Sequence, residues 1–262
     1  MKQYVVDAFT DQIFHGNQAA VCVLEKWIPE ELMMQITREN NFSETAFTVK
    51  NGEKYDLRWF TPGGEIDLCG HATLGAAYVL FRYYEKDTER IIFRTLSGDL
   101  FVGMQNGYIT MDFPVCDYHV VPITEQMKKA TGIAPAEAYI ARDLLWVYPD
   151  EKCIRNMKPD FEAMKQLDGL GVCVTAKGDS YDCVSRFFAP KLQVNEDPVT
   201  GSAHCMVVPY WASRFGKTTL HAYQASERGG ELQCELGSDR VILAGKAVLY
   251  AIEDLQIPVE LL

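Results

Sequence analysis

Two similar halves, each a mostly antiparallel sheet wrapped around a central buried helix, make up the α+β fold that this sequence predicts. The first observation behind the prediction is an internal echo. The stretches YDLRWFTPGGEIDLCGHATLGAAYVLF (55–81) and YDCVSRFFAPKLQVNEDPVTGSAHCMVVPYWASRF (181–215) both open on Tyr-Asp and reach Arg-aromatic-Phe-x-Pro. Each then passes an acidic loop to glycine and small residues. The second observation is a pair of runs without charge, Gly70 to Phe81 and Gly201 to Ala212. A helix that is apolar on every side is buried rather than amphipathic, so each half wraps its sheet around one of them. The third is the many short alternating or apolar stretches punctuated by Gly, Pro, Asn and Asp, which read as strands and turns.

Taken in order, residues 3–9 and 19–24 read as strands on either side of the turn-rich DQIFHGNQ. Residues 29–40 read as a helix with Pro29 in its first turn and Leu32, Met33 and Ile36 as its apolar stripe. Strands are expected at 44–49, 55–60, 91–95, 99–104 and 108–112. The second half repeats the theme, with a helix at 123–131 and strands at 138–141, 171–175, 182–188, 219–223, 231–235 and 240–250. Pro209 is expected to kink the second apolar helix. The boundary falls in 117–122, giving halves 1–117 and 118–262.

The chain has 262 residues, is 48% hydrophobic and carries a formal charge of −11. That is enough apolar content for a real core, and an acidic balance without a Lys/Arg cluster argues against nucleic acid and anionic membrane as partners. Met1 leads into the strand-like VVDAF rather than an apolar leader, so the expected address is the cytosol. The eight cysteines are scattered singly. Cys69 with His71 and His204 with Cys205 are near neighbours without a second pair, so neither structural zinc nor disulfides are expected.

A buried helix start has a chemical consequence. Its first turn leaves N–H groups unpaired and the equivalent of about half a positive charge, so it calls for an anion or a polar ligand. Gly70 and Gly201-Ser202 let such a ligand approach the backbone closely. For either segment alone, local capping is the favoured reading: Ser202 as an N-cap, Asp197 as a cap before Pro198. The repetition favours the ligand, a small carboxylate-bearing molecule clamped where the halves meet.

The combination of Gly16-Asn17, Ser43-Glu44-Thr45-Ala46-Phe47, Cys69-Gly70-His71-Ala72-Thr73 and Asn195-Glu196-Asp197-Pro198-Val199-Thr200-Gly201-Ser202-Ala203 resembles the phenazine biosynthesis PhzF family of isomerases. The resemblance implies the diaminopimelate epimerase-like fold with an active site between its halves, a homodimer, and neither a metal nor an organic cofactor. It implies that Glu44 is the proton-transferring acid/base, that His71 and Asp197 are its polar partners, and that Ser43, Gly70, Gly201 and Ser202 contact the substrate. Burial is expected to raise the Glu44 pKa, and the helix start to keep His71 neutral. Glu196 is expected to face away as a solvated neighbour; His15, His119, His204 and His221 are read as structural. The chain departs from the family at Gln18, where the usual residue is proline, and a looser first loop is expected there. Cys69 stands where epimerases of this fold carry one of two opposed cysteines, but Thr200 holds the second position, which disfavours a two-thiol racemase. The reading is a cofactor-independent isomerase moving a proton within a small carboxylate. The alternatives are an epimerase or dehydratase using Cys69 with an acidic partner, or a non-catalytic binding protein on the same scaffold.

Overall fold

The computed structural model describes residues 1–261 and divides into two compact units, residues 1–112 together with the chain from 244 onward, and residues 113–243. The first unit opens with β1 (Lys2–Ala8) antiparallel to β2 (Asn17–Leu24). After α1 (Glu30–Asn40) comes β3 (Glu44–Asn51), parallel to β2 and antiparallel to β4 (Lys54–Thr61). β5 (Gly64–Ile66) folds back on β4, and then α2 (Gly70–Val79) runs into a π-helical turn, Leu80–Tyr84. β6 (Arg90–Thr95), β7 (Gly98–Gln105) and β8 (Tyr108–Pro114) follow as an antiparallel meander, with β6 also parallel to β4. Every residue of α2 but Tyr78 is buried, against β1, β2 and β3, as its lack of charge predicts. On the other face of the sheet Met33 and Ile36 of α1 pack with Phe47 and Phe60.

The second unit contains β9 (His119–Val120), α3 (Glu125–Thr131), β10 (Glu137–Ile140), β11 (Leu144–Val147), α4 (Glu151–Arg155), α5 (Phe161–Met164), β12 (Val172–Lys177), β13 (Cys183–Ala189), β14 (Val194–Asp197), α6 (Gly201–Phe215), β15 (Thr219–Gln224), β16 (Gly230–Leu236) and β17 (Arg240–Gly245). Antiparallel pairing dominates, with β11–β12 and β13–β15 as its parallel pairs. Trp146, Tyr148, Val174 and Phe188 lie at the centre of one core cluster, and α6 packs on β15 and β16.

Two expectations change. The strand expected over 240–250 breaks at Lys246 into β17 and β18 (Ala247–Asp254), and β18 pairs antiparallel with β1, so the end of the chain belongs with the first unit. The first loop is not loosened by Gln18. Asn17 and Gln18 pair with Ala8 and Asp7, and the Phe14 N–H donates to Asp7 Oδ2 at 2.9 Å. Gly16 takes φ +66°, where a Cβ would stand 2.2 Å from the Ala8 carbonyl oxygen, so only glycine fits.

α6 continues through Pro209 without a break. Proline has no N–H for the carbonyl four residues back, so the Cys205 oxygen loses its helical partner. The Cys116 N–H takes that place at 3.2 Å. No helix among the described residues is long and apolar enough to cross a membrane.

Candidate functional site

α3, α4 and α5 are each capped by a side chain: Thr124, Asp150 and Asp160 accept from Met127, Cys153 and Ala163 N–H groups at 3.3, 2.8 and 2.9 Å. The two buried helices, like α1 after Pro29, are not. Neither Cys69 before α2 nor Thr200 before α6 offers its side chain as a cap, so the orphan donors of both starts are left to other partners. Local capping by Ser202 is also ruled out as the role of that residue, since Thr200 holds the cap position.

In the first unit four residues converge at the α2 start. Parallel pairing with β2 sets Glu44 opposite Ala19 at the head of β3, next to Ser43. His71 in the first turn of α2 puts Nε2 3.1 Å from Glu44 Oε2 and 3.3 Å from Ser43 Oγ, while Nδ1 lies 3.5 Å from Cys69 Sγ. The two side chains are 4% and 14% exposed for His71 and Glu44, so their contact is screened little by solvent. Thr73 ties the turn together by donating from Oγ1 and from N–H to the Cys69 carbonyl, at 2.5 and 3.1 Å.

The charge state differs from the expectation. Burial pushes the Glu44 carboxyl up, but the attraction and hydrogen bonding of His71, with Ser43 in support, hold it below the usual range. Burial pushes His71 down, and the Cys69 sulfur and the Glu44 carboxylate more than reverse it. Cys69 is itself driven up, by burial first and Glu44 second, and so stays a thiol near neutral pH. We therefore assign the hold on His71 to Glu44. A partner at 3.1 Å outweighs the helix-start dipole, and the resting pair is carboxylate and imidazolium.

The linkage follows from those directions. The raised His71 stabilises the fold fully below its ordinary 6.5 and loses this as pH rises through its folded value. The lowered Glu44 does so fully above its ordinary 4.5 and loses it as pH falls through its folded value. The stability difference between wild type and Glu44→Gln is therefore expected to be widest between these ordinary values and to shrink on both sides. Urea unfolding across pH measures it. NMR titration of His71 should give a lower pKa in Glu44→Gln, and an unchanged His71 would contradict the pairing.

The donor atoms of Glu44, Cys69 and His71 lie within 4.8 Å of one another, a spacing a metal ion could use. However, Cys69 and Glu44 approach opposite ring nitrogens of His71, and one ion reaches only one of these. The arrangement suits a relay of hydrogen bonds better than a chelate.

In the second unit Asp197 Oδ2 accepts from Thr200 Oγ1 at 2.5 Å, and Arg142 donates to Ser202 Oγ at 3.1 Å. Gln224, fully buried, fixes the turn: its Oε1 accepts from the Thr200 N–H at 2.8 Å, and its Nε2 donates to the Asp197 carbonyl at 2.7 Å. Arg142 and Gln224 escaped the sequence reading, because each meets NEDPVTGS only through the fold. Glu196 is paired rather than left to solvent. It holds Arg186 through two contacts of 2.7 and 2.8 Å, and the guanidinium lies over the Phe188 ring. The first unit repeats this device with Arg58, Glu65 and Phe60.

That repeat allows the units to be compared residue by residue. Phe60 pairs with Thr45, the residue after Glu44, and Phe188 pairs with Val172, the residue after Gly171. Gly171 thus holds the position of Glu44, and a Cβ there would meet the Phe187 ring at 2.3 Å. Thr200 and Ser202 likewise stand where the first unit has Cys69 and His71. The acid is present once.

Comparison with known proteins shows the family and the fold. The signature of the phenazine biosynthesis-like protein family, PhzC-PhzF, matches residues 6–252. An uncharacterized isomerase of Pseudomonas aeruginosa is 48% identical over 94% of this chain and 95% of its own. The crystal structure of a PhzF-family phenazine biosynthesis protein from Enterococcus faecalis has a TM-score of 0.96 at 52% identity, covering 98% of this chain and 99% of that one. A probable proline racemase from Agrobacterium radiobacter, 8% identical, shares the fold with a TM-score of 0.70 over 98% of this chain and 93% of its own.

Proposed function

The chain belongs to the phenazine biosynthesis-like PhzC-PhzF family of isomerases, and from that premise we propose that it moves a proton within a small carboxylate-bearing substrate, with Glu44 as the group that takes and returns it. The observation that carries this reading is the single acid: Glu44 at the head of β3, and Gly171 at the matching place in the other unit. One group must then remove the proton and deliver it, which fits transfer between two carbons on one face of a substrate better than inversion between two opposed bases.

Glu44 rests as a carboxylate and is ready to accept a proton. A carboxylate held below its usual range is a weak base, so the C–H it attacks has to be acidified by adjacent unsaturation or an electron-withdrawing group. As the proton moves, negative charge spreads into that system. The His71 imidazolium and the uncapped N–H groups of α2 are donors fixed in advance for it. Asp197, Gly70, Gly201 and Ser202 are proposed to hold the substrate, its carboxylate on backbone N–H groups. Dependence on no cofactor, a dimeric state and a cytosolic location remain parts of the proposal. A screen of small unsaturated carboxylates in deuterated water, read by NMR for solvent deuterium at carbon, tests it. Exchange with none of them by a folded protein would count against it.

The proximity of Cys69 to His71 favours one second reading, in which the thiol carries the proton. Cys69→Ala separates the two. With Glu44 as the base it should lower kcat by less than about tenfold, whereas loss of a thiol that itself transfers the proton costs on the order of 10² to 10⁴.

A further inference from the structure

We propose that Cys116 and Cys205 form an oxidisable thiol pair that hydroperoxides convert to a reversible disulfide. The pair is put together by the sequence. Pro209 strips the Cys205 carbonyl of its helical partner, and the backbone of Cys116, in the segment between β8 and β9, binds that carbonyl at 3.2 Å. The Val115 N–H, one residue earlier, is anchored on the Asp239 carbonyl at 3.0 Å, so the segment is pinned on both sides. A backbone hydrogen bond between the two residues holds their main chains within the span a disulfide bridges.

The thiols have different roles. Cys116 is half-buried and so reachable, while Cys205 is buried. The neighbouring Cys205 thiol, with the Arg142 guanidinium in support, brings Cys116 down to about 7 against burial and Asp143; the Cys116 sulfur and burial drive Cys205 well up. Cys116 is therefore the attacking thiolate and Cys205 the resolving thiol. The Cys116 thiolate takes one oxygen from the hydroperoxide, breaking its O–O bond and releasing hydroxide or alkoxide. The sulfur loses two electrons and becomes a sulfenic acid. The Cys205 sulfur, giving its proton to the departing hydroxide, then displaces water, and the S–S bond forms. For hydrogen peroxide the sum is two thiols and one peroxide giving one disulfide and two waters.

The test uses the whole reduced protein and no substrate, so it stands apart from the isomerase reading. After stoichiometric hydrogen peroxide and alkylation of the remaining thiols, digestion without reductant should give a linked peptide pair carrying Cys116 and Cys205 that dithiothreitol separates. In Cys205→Ser, which keeps a donor, Cys116 should be trapped by dimedone as the sulfenic acid. In Cys205→Ala, which removes the donor, alkylation of Cys116 at neutral pH should slow on the order of tenfold, from about half thiolate to a few per cent. If a Cys205 variant fails to fold, prior alkylation of Cys116 in the wild type should block the linkage instead. Both thiols surviving peroxide, Cys116 over-oxidising beside an intact Cys205, or Cys116 linking to any other thiol would overturn the proposal.

Discussion

Glu44→Gln should stop solvent deuterium from entering the substrate, lowering the rate on the order of 10² to 10⁴, while substrate affinity changes only a few fold. The amide keeps the shape of the carboxylate beside His71 Nε2, but it cannot carry a proton. Ser202→Pro should do the converse. The second helical position tolerates proline, so the fold survives, but one N–H donor at the α6 start is lost and binding weakens with the chemistry little changed. Single-turnover exchange together with equilibrium binding separates the two effects. Exchange at the wild-type rate by Glu44→Gln would remove the proposed mechanism whatever the substrate is.

Removing Arg186 should cost the most stability among the ion-pair residues. Its guanidinium holds Glu196 through two contacts and donates to the Ile154 and Met157 carbonyls at 3.1 and 2.9 Å, at 12% and 23% exposure for the pair. Arg186→Met fills much of the same volume but leaves one carboxylate and two carbonyls without their donor, an expected loss of about 2 to 4 kcal/mol. Glu196→Gln keeps an acceptor for the guanidinium and should cost clearly less. Urea midpoints with unchanged slopes report both, and equal losses in the two variants would show that the carboxylate, not the arginine, organises this corner.

What could be read in advance divides along physical lines. The long strands and the two chargeless helices were legible because their signals are local: a period, a run without charge, a flanking glycine. The repeat located Arg58 and Arg186, whose clamps match in the two units. Most short pieces were not legible, β10 excepted. β5, β11, β14, α4 and α5 have three to five residues each, too few for a period to emerge. At the candidate site, Glu44 and His71 were marked by motif, but their charges were misjudged. A pKa depends on what lies about 3 Å away, and 27 positions of chain separate these partners. Gln224 was invisible for the same reason, since its buried amide meets Asp197 and Thr200 only when β15 is in place.

The return of β18 to β1 has a consequence for the order in which the molecule can be made. A ribosome delivers the second unit as one unbroken stretch, residues 113–243, so everything it needs is available at once. The first unit begins earlier and finishes last. Until residues 247–254 emerge, β1 has β2 on one side and nothing to occupy the edge that β18 will take. The nascent chain thus carries an open strand edge throughout the synthesis of its other unit, and the edge closes only once β18 follows.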